Sequence, residues 1–261
     1  MSHFTVGVIV KNKGDLQNVL APYSEQNPDY YERVPYMDKA QWLANYRQYH
    51  ENTTLTDAEI WEEAKNEYGI DNVDEDMIYT CYNPDAKWDW YDIGGRWLNE
   101  LKVPKHAESY TGSHYGEVSN KKQRGKSRWV DGARIKDILW EDMNKQTKEE
   151  IQHEAEFWDD YVEGKNPDKK YEEAFYKPAY YKQMYANKED YIMKSGLFYT
   201  HDLLFCPEDG DQEWLSVGDM GWFGCDNATT DTTDDYLKRF YEIIHNPQYQ
   251  DYWFIVVDCH I

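Results

Sequence analysis

The sequence predicts an α+β fold built mainly on an antiparallel sheet, and three observations carry that reading. β-rich runs stand at both ends of the chain, a strand–turn–strand pattern lies between them, and helix-capping signatures mark the stretches that separate these runs. First and last strands lie side by side in ferredoxin-like sheets, so the two chain ends are expected to be neighbours in the core. One domain over 1–261 is expected, with 101–196 as an insertion or helical subdomain.

The first run, His3-Phe4-Thr5-Val6-Gly7-Val8-Ile9-Val10, sets Phe4, Val6, Val8 and Val10 on one face and His3 and Thr5 on the other, the mark of a half-buried strand. Asp15 then stands before Leu16, Val19 and Leu20, a short helix that Pro22 stops. Residues 24–52 show no clean period and read as loop with one helix near 37–49. Thr56-Asp57-Ala58-Glu59 is a capping box, followed by Ile60, Trp61, Ala64 and Tyr68 on one helical face and closed by Gly69.

Residues 83–97 are the densest aromatic stretch, opening with a turn and breaking at Gly94-Gly95. The only local excess of positive charge, 121–136, reads as loop or hairpin. Thr147 and Glu150 form a second capping box, opening a helix that carries Ile151, Ala155, Trp158 and Val162 and ends at Gly164. A further short helix is expected within 165–191. Residues 197–206, the turn Pro207-Glu208-Asp209-Gly210 and Glu213-Trp214-Leu215-Ser216 read as a hairpin. Asp231 to Asp234 can cap a helix bearing Tyr236, Leu237, Phe240, Ile243 and Ile244, and the chain closes in a strand over 253–260.

Composition narrows the function classes. With 28 basic against 50 acidic residues the formal charge is −22, which opposes general binding to DNA, RNA or anionic lipid. A mean hydropathy of −0.97 would suit a disordered chain, but 24 Tyr, 11 Trp and 8 Phe supply the apolar surface such chains lack. Cys81, Cys206, Cys225 and Cys259 are too scattered for a structural zinc site and point to a reducing compartment. No apolar run approaches the roughly 20 residues that cross a bilayer, so the expected location is cytoplasmic. No motif assigns a cofactor or a metal.

The last strand alternates as the first does, with Phe254, Val256, Asp258 and His260 on one face. If the terminal strands pair antiparallel, His3, Thr5, Asp258 and His260 fall together, and two imidazoles, a carboxylate and a hydroxyl on one rigid surface suit acid–base work on a phosphoester, or metal binding with help from a loop. The bland alternative is four solvated residues at exposed chain ends. His3-Phe4-Thr5-Val6 also resembles one H-x-T element of the two-histidine phosphoesterases, but the chain has no second such element, because Asp258-Cys259-His260 does not match.

Trp88, Asp89, Trp90, Asp92, Gly94, Gly95 and Arg96 form a second candidate. The indoles can stack a nucleobase, Arg96 can grip a phosphate or carboxylate, and the glycines let a ligand approach the backbone. Trp222, in the run Met220-Gly221-Trp222-Phe223-Gly224, can complete such a pocket. The competing reading makes the tryptophans core anchors and pairs Arg96 with Asp89 or Asp92. His201 and His245 show no useful spacing and receive no role.

Met1-Ser2-His3-Phe4-Thr5-Val6, the 83–97 motif, the run from Met220 to Gly224 and the closing Val256-Val257-Asp258-Cys259-His260-Ile261 resemble a family of uncharacterised bacteriophage and prophage proteins of Gram-positive hosts. That resemblance implies a phage origin and assigns no catalytic residue. The expected function is a phage accessory protein that binds a host or defence protein through an acidic, Tyr- and Trp-rich surface, in the manner of a nucleic-acid mimic. The alternative is a phosphoesterase-like enzyme, or a protein that captures a small nucleotide-like ligand, built on His3, Thr5, Asp258 and His260.

Overall fold

The computed structural model describes residues 2–112, 126–171, 174, 176–221 and 226–261. The strands are β1 (His3–Val10), β2 (Glu32–Asp38), β3 (Met77–Tyr82), β4 (Trp90–Ile93), β5 (Leu101–Pro104), β6 (Ser109–Tyr110), β7 (Ser127–Val130), β8 (Gly132–Arg134), β9 (Asp202–Phe205), β10 (Glu213–Ser216) and β11 (Trp253–His260). The α-helices are α1 (Leu16–Leu20), α2 (Lys39–Tyr49), α3 (Asp57–Tyr68), α4 (Trp140–Met143), α5 (Lys148–Phe157), α6 (Pro178–Met184), α7 (Lys188–Ser195) and α8 (Thr230–Ile244). The class is α+β with the first and last strands adjacent. The chain divides into two compact units, 20–89 and the remainder, and 101–196 lies wholly within the larger one.

The larger unit is organised by one sheet of order β10-β9-β1-β11-β8-β6, with β4 also on β11. Its pairs are antiparallel except β1 with β9, which run parallel side by side, where a split β-α-β would leave a strand between them. The likeness to a ferredoxin-like sheet therefore stops at the adjacency of β1 and β11. Along its first edge β11 meets β1 over its whole length. Its second edge is shared, with β8 against Trp253–Ile255 and β4 against Val257–His260.

One face of β1 and β11 has two characters. Its apolar half, Ile9, Phe254 and Val256, belongs to the main core, which α8 covers with Tyr236, Leu237, Phe240, Ile243 and Ile244. Phe254 meets Phe240 and Trp140 edge-on at ring separations of 5.9 and 5.4 Å. Gly7 makes room for that ring, since a Cβ there would stand 2.6 Å from Phe254 Cζ. The polar half of the same face carries His3, Thr5, Asp258 and His260.

Local signals place the helices well. Both capping boxes form, with Thr56 and Thr147 each accepting a hydrogen bond from the backbone N–H three residues on. Ile151, expected on the buried face of α5, is exposed instead, while Trp158 and Val162 are buried as expected, together with Phe157, where the helix runs into a π turn over Trp158–Val162. The cap of α8 is Thr229, two residues before the expected Asp231. The positive stretch is no simple hairpin: β7 pairs with β5, β8 pairs with β11 and β6, and 121–125 lie outside the described residues.

The unit 20–89 has its own small core of Trp42, Ile60, Trp61, Ala64, Val73 and Ile78. Here α2 and α3 pack beside the antiparallel pair β2–β3, and Trp42 Nε1 donates to the Ile60 carbonyl at 3.0 Å. The helix expected near 37–49 is present as α2, but the residues just before it form β2 rather than loop. No helix among the described residues is long and apolar enough to cross a membrane.

Candidate functional site

Register builds the site. β1 and β11 set His3 opposite His260 and Thr5 opposite Asp258, while β4 sets Trp90 opposite His260 and Asp92 opposite Asp258. Because cross-strand partners share a face, these six side chains form two rows across three strands. The terminal cluster and half of the aromatic motif, read from the sequence as separate candidates, are thus one surface.

Asp258 is its anchor. The carboxylate is almost fully buried, with Oδ1 2.8 Å from His3 Nδ1 and Oδ2 accepting the Arg96 backbone N–H at 2.9 Å. Gly94 and Gly95, at φ +75° and +51°, make the turn that brings this N–H in. A Cβ on Gly95 would run into the Asp258 carboxyl, and one on Gly94 into that of Asp131. Asp131, also fully buried, accepts the N–H groups of Asn99 at 2.6 Å and Gly112 at 2.9 Å, and its carbonyl accepts Val256 N–H at 2.8 Å. Two buried carboxylates therefore hold the glycine turn against the sheet.

The rings follow the same order. His260 stacks on Trp90 with centroids 5.0 Å apart and planes 19° from parallel, and His3 meets His260 edge-on at 4.8 Å and Trp90 at 5.4 Å. Above them opens a cavity of about 400 Å³ lined by His3, Trp90, Asp92, Gly95, Arg96 and Asp258. With Nδ1 on Asp258, His3 presents Nε2 to a ligand. The Arg96 guanidinium is exposed and makes no hydrogen bond or ion pair with the described residues, so the expected pairing with Asp89 or Asp92 does not form.

Not every candidate joins this surface. His260 is buried beneath Trp90 and His3 and does not line the cavity. Thr5 shares the face but does not line the cavity, its Oγ1 accepting the His201 N–H at 2.8 Å. The three motif tryptophans part company: Trp88 is buried in the smaller unit, where it bridges to Ser24, Trp90 is 45% exposed in the cavity, and Trp97 packs against the main core. Asp89 also belongs to the smaller unit, and Trp222 lies outside the described residues. Among the described residues no group of three His, Cys, Asp or Glu side chains is placed to hold a metal ion.

The structure gives His201 a role that its sequence spacing hides. Nδ1 lies 2.6 Å from Asp202 Oδ1 and Nε2 2.9 Å from Asp226 Oδ2, so each ring nitrogen faces a buried carboxylate. Asp202 also accepts from Trp214 Nε1 at 2.7 Å, and Asp226 from the Tyr180 hydroxyl at 2.7 Å and Ala228 N–H at 3.0 Å. Burial disfavours the imidazolium, but the bonds to Asp202 and Asp226 outweigh it and raise the His201 pKa to about 9. On Asp226 burial pushes the pKa up, and the bonds from His201, Tyr180 and Ala228 overcome that and hold it below the ordinary value. His245, by contrast, is exposed and only reaches back to the Tyr241 carbonyl at 3.0 Å.

No family model, curated protein or solved structure matches the chain.

Because His201 holds its proton to about pH 9 when folded and to 6.5 at its ordinary value, the folded state binds the extra proton between those limits. The resulting stability is fully present below pH 6.5 and is lost as pH rises through 9. Urea unfolding should show the wild-type chain losing up to about 3 kcal/mol across this window relative to His201→Asn. A pH-independent difference between the two contradicts the paired-imidazolium assignment.

Proposed function

We propose that the larger unit binds a nucleotide-like phosphoester in the β1–β4–β11 cavity and has the groups to move a proton on it. One observation carries the proposal: β1, β4 and β11 bring the His3–Asp258 pair, a half-exposed Trp90 and the unpaired Arg96 guanidinium to the same 400 Å³ cavity. A flat base suits the exposed surface of Trp90, whose other contacts already include a stacked ring. The phosphate suits Arg96, whose planar fork binds such oxygens in pairs.

The acidic character of the chain does not bar an anion at this point. Asp258 spends its charge on His3 and the Arg96 N–H, and Asp92 Oδ1 accepts the Ile93 N–H at 2.9 Å. In catalysis, His3 Nε2 takes the proton from an attacking hydroxyl or water as its oxygen bonds to phosphorus, and the imidazolium then returns the proton to the leaving oxygen as the old P–O bond breaks. Asp258 fixes the ring and its tautomer. His260 supports Trp90 and His3 from below. In a protein of phage origin, capture or cleavage of a nucleotide signal is a role this chemistry fits.

Calorimetric titration with nucleoside monophosphates and their cyclic forms tests the proposal. Trp90→Ala and Arg96→Ala should each weaken binding by about 10- to 100-fold, as expected for a lost stacking platform or a charge-assisted contact. If a bound phosphoester is also cleaved, His3→Ala and Asp258→Asn should abolish the cleavage. No nucleotide binding, or binding that both Trp90→Ala and Arg96→Ala leave intact, overturns the reading.

A second reading, partner binding in the manner of a phage accessory protein, is favoured by the surface of the smaller unit. Six of the nine exposed large apolar side chains among the described residues, Tyr30, Tyr31, Tyr36, Tyr49, Ile70 and Tyr82, lie in 20–89. The same 70 residues hold 16 acidic and 5 basic side chains, a net −11 and half of the charge of the chain. Aromatic side chains in a negative field suit a basic host or defence protein. Association through this surface should weaken steeply as salt rises, and a partner captured from host lysate that resists added salt contradicts it.

A further inference from the structure

A further cavity of the larger unit, about 360 Å³, is walled by Tyr176, Tyr180, Tyr181, Tyr185 and Tyr199, with the His201–Asp226 pair described above at its polar side. Its rings stand as a box. Tyr176 stacks on Tyr180 at 4.1 Å, and Tyr181 meets Tyr180 and Tyr176 edge-on at 6.2 and 6.4 Å. Aromatic faces carry the negative lobe of the ring quadrupole, so such a box attracts positive charge.

The surrounding charges act in the same sense. His201 is flanked by Asp202 and Asp226, and the buried Lys194 by Asp190 at 2.9 Å and Asp234 at 2.6 Å. At the cavity wall the two carboxylates Asp202 and Asp226 share the single His201 imidazolium, which leaves one net negative charge there. The chain itself already uses one of these rings for a cation, because Lys194 Nζ lies over Tyr185 at 6.0 Å from the centroid. An anion is repelled here. A small hydrated metal ion finds phenol faces where it needs several oxygens. A compact organic cation with methyl groups instead of N–H bonds loses little on desolvation and gains both ring faces and the field of Asp226.

We propose that this cavity binds a small organic cation of the trimethylammonium class, with the tyrosine box around its head group and Asp226 as the nearest carboxylate. The site is separate from the His3–Asp258 cavity. Thr5 touches both regions, standing on the site strand while it lines the tyrosine cavity.

Choline and its neutral isostere 3,3-dimethylbutan-1-ol are the probes, titrated calorimetrically into the full chain. Choline should bind saturably and about tenfold or more tightly than the isostere, the margin a cation gains over aromatic faces. Asp226→Asn should narrow the difference between the two affinities, leaving only the part that the tyrosine faces supply. Since that change also removes a partner of His201, Tyr176→Leu at the edge of the box serves as a second variant and should weaken choline by several-fold with the circular dichroism spectrum unchanged. His3→Ala should leave choline binding as it is, which separates failure here from failure of the nucleotide site. Equal affinity for the two probes, no saturable choline binding, or choline binding that survives both variants overturns the proposal.

Discussion

Everything at the His3–Asp258 site depends on the register of one antiparallel strand pair. β1 and β11 are the first and last elements of the chain, and their eight-residue pairing sets His3 against His260 and Thr5 against Asp258. Side chains alternate with period two along a strand, so a slip by one residue would send the imidazoles and the carboxylate to the opposite face and bring Phe4 and Cys259 to this one. The apolar half of the face prevents that slip. Ile9, Phe254 and Val256 are buried under α8, and exchanging them for their neighbours would unpack the main core. Core packing at one end of the pair thus fixes chemistry at the other.

A second constraint is the satisfaction of buried carboxylates. Asp258 and Asp131 are among the few charged side chains lost almost wholly to solvent, and an uncompensated carboxylate at such a position would be strongly destabilising. Each accepts one backbone N–H from the segment just after Gly94-Gly95, from Arg96 or Asn99, and has a second partner elsewhere, His3 for Asp258 and the Gly112 N–H for Asp131. The glycine turn and the two acids therefore specify one another: the acids need the turn's donors, and the turn needs the acids to hold its left-handed residues in place. Arg96 reaches the cavity because this arrangement leaves its side chain outside while its N–H is bound. His201 follows the same logic elsewhere, as a buried imidazole stabilised between two acids that each have further donors.

The sequence showed those parts of the fold that local chemistry determines. The terminal strands, both capping boxes and the hairpin of β9 and β10 depend on alternation, on side chains three residues apart or on a turn, and each is present. The register of the ends was legible as well, because both strands carry their polar residues at the end remote from the core. β2, β3 and β4 were not legible. They are short or mixed in polarity, and what makes them strands is a partner far along the chain: β2 and β3 stand about 40 residues apart, and β4 forms only by adding to the edge of β11. For the same reason the aromatic motif looked uniform although its tryptophans serve different surroundings. His201 was missed because Asp226, which completes its environment, is 25 residues away.

The acid–base role of the site requires that Asp258 hold His3 in a single tautomer, with Nδ1 bonded and Nε2 offered to the cavity. Long-range ¹⁵N–¹H correlation on the imidazole nitrogens of ¹⁵N-labelled protein, at a pH where His3 is neutral, measures this directly. His3 should show a protonated Nδ1 and an unprotonated Nε2, with that preference lost in Asp258→Asn. A fast average of the two tautomers in the wild-type chain, or a proton on Nε2, would contradict it.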